Sequence, residues 1–286
     1  MFRPSSDVTL PAPTAPEPPA RPAATPRALT ASCVVRARDF RQPWFVQRTN
    51  ELAHELELHR KLWEFCVIAQ VGAEHLVPGM RALGFGVGRE PLASWLASRG
   101  VDVVATDRPD ETMEWDGTGQ HAADVEHLRH PDVCSEVAFA RHVRFRAVDM
   151  NAIPEDLRDG SFDFTYSAGS FEHLGGIDAG LDFFVNQMAC LRPGGLAAHT
   201  TEFNMLSYHE TLESPNLSLY RVQELQVLAE RLAAQGDRLW PLDLASGIEP
   251  DDLHVDSEPW GLPHLKIALG RHTTTSVLLV GVRGGA

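Results

Sequence analysis

Residues 83–90, with the sequence LGFGVGRE, decide the fold of this chain. They join a short apolar run to a segment whose apolar residues have helical spacing. Glycines at such a junction let the backbone turn tightly and approach a ligand closely. The start of the following helix also presents unpaired backbone N–H groups. The stretch therefore predicts a strand, a loop and a helix that together bind a nucleotide-like cofactor.

The spacing of the glycines distinguishes between kinds of nucleotide site. Gly84, Gly86 and Gly88 form a G-x-G-x-G pattern. A dinucleotide fingerprint requires a third glycine at the position of Arg89, whose side chain would obstruct the approach of the helix to a pyrophosphate. This pattern disfavours a nicotinamide-dependent oxidoreductase, which stays as an alternative.

Outward from the loop, short apolar runs alternate with helical patterns, as in βαβ units that build a parallel sheet. The predicted strands are 81–83, 101–106, 143–148, 162–166 and 196–201. The predicted helices are 90–99, 177–191 and 221–235. Near the end, residues 264–282 contain two β-rich runs joined by a short turn, which predicts an antiparallel hairpin. We therefore expect an α/β fold, mostly parallel, with helices on both faces.

Polar or small residues follow the predicted strands where the strands end. Asp107 ends the second strand, where a carboxylate is placed to accept hydrogen bonds from both hydroxyls of a ribose. After the third strand, Asp149 could accept from an adenine amine, and Met150 could cover the ring. Ser167 follows the fourth strand. Open α/β sheets bind ligands at this edge, so these residues are predicted to share one site.

Taken together, these residues resemble the class I S-adenosylmethionine-dependent methyltransferases, over roughly residues 80–282. The turn LRPGG at 191–195 and the closing hairpin belong to the same resemblance. It implies a Rossmann-like methyltransferase sheet and S-adenosylmethionine as cofactor, with S-adenosylhomocysteine as product. It also implies that Glu90 lies near the cationic methionine part. The implied cofactor residues are Gly84, Phe85, Gly86, Gly88, Glu90, Asp107, Asp149, Met150 and Ser167.

A narrower resemblance lies in SFEHLGG (170–176), TEFN (201–204) and PHLK (263–266). These segments are similar to bacterial methyltransferases of glycan and sugar biosynthesis, which implies a sugar hydroxyl as methyl acceptor. His173 is our first choice for the general base, because it follows the fourth strand and histidine titrates near neutral pH. Glu172 would orient it. Glu202, Asn204 and His264 would bind the acceptor.

Each of these acceptor-site residues also has a purely structural interpretation. His173 would suit a hydrogen bond to a backbone carbonyl at a helix entry. Glu202 and Asn204 would suit hydrogen bonds that order a loop. His264 lies near carboxylates with which it would form a surface network.

The cofactor residues have structural alternatives as well. Glu90 is favoured at the first turn of a helix by the macrodipole alone. Asp107 precedes an Arg-Pro pair and suits a turn. Asp149 suits a helix N-cap.

Composition excludes several classes of protein. The 286 residues carry a formal net charge of -14, which repels phosphate backbones and argues against nucleic-acid binding. The four cysteines are scattered without a CxxC pair, which predicts neither a zinc site nor disulfides and suits a reducing cytoplasm. No apolar run is long enough to span a membrane. Residues 249–258 are acidic, but their carboxylates follow no EF-hand pattern, so we name no metal ligand.

The chain divides into three parts. Residues 1–30 are rich in proline and alanine and predict a disordered tail. Residues 31–78 predict a helical extension that serves as a lid or a homodimer contact. Residues 79–286 form the expected methyltransferase domain, whose acceptor is a glycan or another small molecule. The remaining alternative is a catalytically inactive methyltransferase-like module that binds a partner through the helical extension.

Overall fold

The computed structural model describes residues 27–108 and 121–285. Within these ranges, ten strands form one mixed sheet. Most of the predicted tail, residues 1–26, lies outside the described residues, and residues 27–30 form neither helix nor strand.

The first half of the sheet is parallel and carries the glycine loop. Its strands are β2 (Arg81–Gly84), β3 (Asp102–Asp107), β4 (Val143–Ala147) and β5 (Phe162–Ala168), paired in the order β4-β3-β2-β5. Two helices, α3 (Leu92–Ser98) and α4 (Glu136–His142), accompany these strands. The four predicted strands are confirmed. The helix after the glycine loop begins at Leu92 and not at the predicted Glu90, with Pro91 as its N-cap.

The second half of the sheet is antiparallel, as predicted from the closing hairpin. The long strands β6 (Leu191–Asn204) and β10 (His272–Val282) run side by side from Leu196↔Val282 to Asn204↔Thr274. β9 (Lys266–Leu269) pairs with the start of β10 across the predicted turn. β6 also pairs with β5 in parallel, so this strand joins the two halves.

Three short strands share the other edge of β10. Besides β9, β1 (Ser32–Val34) pairs with its middle and β7 (Arg238–Leu239) with its end. A further strand, β8 (Leu242–Asp243), pairs with β1 in parallel. The extension 31–78 is thus not helical throughout, because its first residues complete the sheet.

The rest of that extension forms α1 (Pro43–Glu51) and α2 (Arg60–His75). α2 crosses the sheet over β5, β6 and β10. Its inward side chains Trp63, Cys66 and Val67 are completely buried. Removing this much apolar surface from water stabilises the docked helix by several kcal/mol, at about 1.5–3 kcal/mol for each large side chain.

Helices cover both faces of the sheet, as predicted. The buried residues of α2 and α3 belong to one apolar cluster, and those of α5 (Ile177–Gln187) and α6 (Val222–Ala234) belong to another. A single turn of helix, α7 (Pro250–Leu253), lies within the acidic residues 249–258, before β9. The core is thus two apolar layers with the sheet between them, and the strand ends stay available for a site.

The second residue after α1 adopts a conformation that favours glycine. Ala53 has a φ of 55°, and the N–H of His54 donates to the carbonyl of Thr49 across the end of the helix. We expect Ala53→Gly to stabilise the protein by about 0.5–1 kcal/mol, because the strain of a Cβ in this region exceeds the entropy that glycine adds to the unfolded chain. Thermal unfolding measures this difference. The control Ala229→Gly, in the middle of α6, should instead destabilise the protein by about 1 kcal/mol; equal effects at both sites would contradict the strain argument.

Candidate active site

A cavity of about 520 Å³ opens at the carboxyl ends of the parallel strands. This volume is within the usual range of small-molecule sites. One wall consists of the glycine loop and the residues that end β3, β4 and β5. Another part of the lining comes from the N-terminal extension. Its contributions are Leu52, Ala53, His54, Lys61 and Phe65.

The glycine loop is shaped by close packing that leaves no room for side chains. A Cβ on Gly84 would lie 2.6 Å from the Tyr166 hydroxyl, and one on Gly86 would lie 2.9 Å from the Cβ of Ser170. Gly86 and Gly88 also have φ values of 54° and 52°. A ligand in the cavity can therefore approach the bare backbone of the loop.

Asp107 holds the loop in place with its carboxylate. Its Oδ2 accepts hydrogen bonds from the backbone N–H groups of Gly88 and Ala122, both at 3.0 Å. Its Oδ1 accepts from the N–H of Arg108 at 2.8 Å. The side chain also lines the cavity, so the remaining lone pairs of a fixed carboxylate face a ligand.

Asp149 and Met150 line the cavity next to Asp107. The Asp149 Oδ1 accepts from the N–H of Asn151 at 2.9 Å and caps a short 3₁₀ helix, Met150–Ala152. Asp149 is therefore an N-cap, as its structural interpretation predicts, and it also lines the cavity. Met150 is nearly buried and offers its thioether to a flat ring.

Glu90 is the least satisfied polar residue of this wall. It is 7% exposed and lines the cavity, and within the described residues its Oε1 has no hydrogen-bond partner. Burial raises the pKa of this carboxyl well above its ordinary value. A buried carboxyl without a donor is costly, so the site fits a ligand that brings a cation or donor to it.

Two of the predicted cofactor residues turn their side chains away from the cavity. Phe85 is fully buried in the core, with its ring 5.1 Å from that of Phe183, so only its backbone belongs to the loop. The Ser167 hydroxyl bonds the Nδ1 of His199 at 2.8 Å beneath the site. Alternation along a strand sends neighbouring side chains to opposite faces, and Ala168 and Ser170 line the cavity instead.

His173 lines the cavity at the end of β5, and Glu172 lies buried behind it. The His173 Nδ1 is 2.5 Å from the carbonyl oxygen of Asn216, which assigns the proton to Nδ1 and the lone pair to Nε2. Nε2 is 3.9 Å from the Glu172 Oε1. Glu172 accepts from the Thr201 hydroxyl at 3.0 Å, and burial raises the pKa of its carboxyl. This histidine has the tautomer that a general base requires.

Lys61, on α2, was not predicted as a site residue. Its Nζ donates to the Glu64 Oε2 at 2.9 Å and to the carbonyl of Ala168 at 3.1 Å, and it lines the cavity. Although burial opposes ionisation, Lys61 and Arg60 hold the pKa of Glu64 below its ordinary value. The helical spacing of residues 43–76 predicted the helix, but nothing in the local sequence indicated that its polar face meets the end of β5.

The three predicted acceptor residues do not line the cavity. Each uses its polar atoms within the protein. Glu202 pairs with Arg60 and accepts from the Thr274 hydroxyl at 2.7 Å. Asn204 donates to the carbonyl of Glu210 at 3.0 Å, which orders the loop after β6.

His264 lies in a separate cluster, on the loop before β9. Its Nδ1 is 2.5 Å from the Asp256 carboxylate, and its ring stacks on that of His59 at 4.6 Å. This arrangement corresponds to the structural interpretation of His264, a network with a neighbouring carboxylate.

Residues 27–108 and 121–285 contain no group of three or more His, Cys, Asp or Glu side chains that would hold a metal ion. The four cysteines lie in these ranges and are free and buried. None of the helices of the described chain is both long and apolar enough to cross a membrane.

Comparisons with known proteins agree with this geometry. The model of a methyltransferase domain family matches residues 83–199, from the glycine loop to β6. No curated protein matches the chain significantly.

Among solved structures, a geranyl diphosphate methyltransferase in complex with geranyl diphosphate and sinefungin is 14% identical, with a TM-score of 0.50 over 89% of this chain and 88% of that one. A protein described as a sarcosine dimethylglycine methyltransferase from Galdieria sulphuraria is 13% identical, with a TM-score of 0.50 over 78% and 85%. The cyclase SpnF is 18% identical, with a TM-score of 0.44, and the match spans 60% of this chain and 57% of that one. At such identities the likeness concerns the fold.

The match at 83–199 includes the part of the cavity formed by the glycine loop, Asp107, Asp149 and His173, but not the residues of the N-terminal extension. Residues 83–199 thus match a methyltransferase domain family and lie within a Rossmann-like sheet, and the family match supports methyl transfer from S-adenosylmethionine.

Proposed function

We propose that this protein transfers a methyl group from S-adenosylmethionine to a hydroxyl of a sugar or another small molecule. The observation that carries the proposal is the wall of the cavity itself. A bare glycine loop, the fixed carboxylate of Asp107 and the unpartnered carboxyl of Glu90 face the same space. These groups suit a nucleoside with a cationic amino-acid part.

Each of these groups has a separate task in holding the donor. Asp107 accepts from the ribose hydroxyls, and the loop at Gly86 and Gly88 lets the ligand lie against the backbone. Asp149 and Met150 take the adenine. Glu90 faces the cationic methionine part.

The acceptor is activated by the chain itself. When bound, the cofactor supplies an electrophilic methyl group on a sulfonium. His173 would accept the proton of the acceptor hydroxyl at Nε2 while that oxygen takes the methyl group and the S–C bond breaks with its electron pair staying on sulfur, and the carbonyl of Asn216 would keep the ring oriented through Nδ1–H. Such a base contributes a factor on the order of 10²–10⁴.

The N-terminal extension contributes part of the cavity lining, next to the end of β5. Its residues Lys61 and Phe65, one helical turn apart on α2, line the space that the cofactor residues leave. We expected this segment to serve as a lid or as a dimer contact. The position of Lys61 and Phe65 in the cavity lining supports the lid. We infer that α2 supplies part of the acceptor subsite.

Two measurements test the proposal in sequence. Calorimetry with S-adenosylhomocysteine should give a micromolar dissociation constant, and nicotinamide dinucleotides should give no thermal shift. Incubation with labelled S-adenosylmethionine and a panel of sugars, lipids and phenols should then yield one product heavier by a single methylene. Absence of S-adenosylhomocysteine binding would refute the donor. Binding without transfer to any hydroxyl compound would contradict the hydroxyl acceptor, whereas the inactive binding module predicts indifference to the cofactor.

A further inference from the structure

Two polar atoms next to the glycine loop are buried without a hydrogen-bond partner in the part of the chain that the structure describes. One is the Glu90 Oε1, and the other is the hydroxyl of Tyr166. Tyr166 is completely buried and Glu90 nearly so. A polar group in this condition costs roughly 1–3 kcal/mol, so two neighbouring ones need an explanation.

Tyr166 occupies a place under the loop that the sequence provides for it. β5 pairs with β2 at Gly84↔Tyr166, and the N–H of Phe85 donates to the Tyr166 carbonyl at 2.8 Å. A Cβ on Gly84 would lie 2.6 Å from the Tyr166 hydroxyl. The missing side chain of Gly84 therefore leaves room for the phenol of Tyr166 directly below the turn. Gly84 stands at the start of the turn and Glu90 at its end.

The surroundings of Glu90 disfavour its ionised form. Asp107 on β3 and Glu64 on α2 add negative charge, and Lys61 on α2 opposes them while bonded to Glu64. Burial, the largest cause, and these carboxylates raise the pKa of Glu90, and burial and Glu90 raise the pKa of Tyr166. Burial without a hydrogen-bond partner in the described chain, together with this negative charge, therefore favours the protonated form of the Glu90 carboxyl before a ligand binds.

We propose that Glu90 and Tyr166 form a proton-releasing receptor for the ammonium end of the cofactor. As an ammonium enters, the O–H bond of Glu90 breaks, its proton passes to solvent, and the electron pair stays on the carboxylate. The Tyr166 hydroxyl then donates to that carboxylate. Tyr166 is thus a positioning residue that acts through Glu90. The inference rests on the proposed function, which supplies the cationic ligand.

Calorimetry counts the proton directly. S-adenosylhomocysteine is titrated at one pH into buffers that differ in ionisation enthalpy, and the dependence of the heat on buffer gives the number of protons released. We expect release of up to one proton by the wild-type chain and none by Glu90→Gln. Because binding then requires the carboxylate, the affinity should rise about tenfold per pH unit until the pKa of the free Glu90 is passed.

A second ligand distinguishes the effect of the ammonium group from that of the nucleoside. 5′-Methylthioadenosine keeps the nucleoside and lacks the ammonium, so it should bind without proton release. Release of the same number of protons with this ligand, or from Glu90→Gln, would overturn the inference. Absence of any S-adenosylhomocysteine binding would overturn the proposed function as well, whereas binding without proton release overturns the inference alone.

Tyr166→Phe tests the positioning residue. It removes one oxygen and keeps the buried ring, so the chain should stay folded by circular dichroism. We expect the affinity for S-adenosylhomocysteine to fall about tenfold, as for one hydrogen bond to a charged group, while the proton is still released. The control is Tyr220→Phe, a buried tyrosine whose hydroxyl donates to the carbonyl of Phe171 outside the cavity. Equal affinity in both variants would show that Tyr166 has no such role.

Discussion

Asp107→Ala is expected to weaken S-adenosylhomocysteine binding by at least about 100-fold. A carboxylate that accepts two ribose hydroxyls contributes about 1.5–3 kcal/mol per charged hydrogen bond, which corresponds to a factor of roughly 10²–10⁴ in affinity. The change also frees the N–H groups of Gly88 and Ala122, which now share the Oδ2 at 3.0 Å. Calorimetry measures the affinity, and thermal unfolding reports the accompanying loss of stability.

The control lies on the same strand. Asp102 begins β3, is exposed, and bonds His142 at the far end from the cavity. Asp102→Ala should leave the affinity within about twofold. Asp107→Asn keeps the shape of the side chain without its charge, and it should fold even if the alanine variant does not. An affinity near that of the wild type for Asp107→Asn would contradict the ribose role.

The second large effect concerns turnover. His173→Ala should lower kcat for the acceptor identified by the panel by about 10²–10⁴-fold, because the hydroxyl then loses its proton without a base. The affinity for S-adenosylhomocysteine should change by less than about threefold, since the histidine acts on the acceptor. Single-turnover kinetics with labelled cofactor separates this loss from slow product release.

Two further measurements make the assignment of the base specific. Added imidazole should restore part of the activity of His173→Ala by entering the space that the side chain leaves. His142→Ala, outside the cavity, should retain full turnover. Unchanged kcat in His173→Ala would instead assign this histidine the structural role, a hydrogen bond to the carbonyl of Asn216.

The local sequence was sufficient to bring most of the predicted cofactor residues to one wall of the cavity. Glycines at 84, 86 and 88 and carboxylates at 107 and 149 follow strands that short apolar runs identify. The carboxyl ends of neighbouring parallel strands meet at one edge, so residues distant in sequence could be assigned to one site before the structure was known. These residues line the cavity, except Gly84, which packs against the Tyr166 ring.

The part of the cavity that comes from the N-terminal extension was not predictable in this way. Lys61 and Phe65 reach the cavity only because α2 docks across β5, β6 and β10. Glu202 was expected to bind an acceptor and instead pairs with Arg60 of that same helix. Helical spacing indicates which side of a helix is apolar, but it does not say which part of the protein the helix packs against.

The sequence by itself determined the strand–loop–helix unit, the parallel order of the strands that follow it, and the carboxylates at their ends. These depend on hydrogen bonds and side-chain periods within about twenty residues, so they are local. The tertiary structure decided that the N-terminal extension contributes to both the sheet and the cavity, and that Tyr166 and Glu90 are buried next to the loop. Burial of this kind is a property of the packed whole, because each group is removed from water by residues that are distant in sequence.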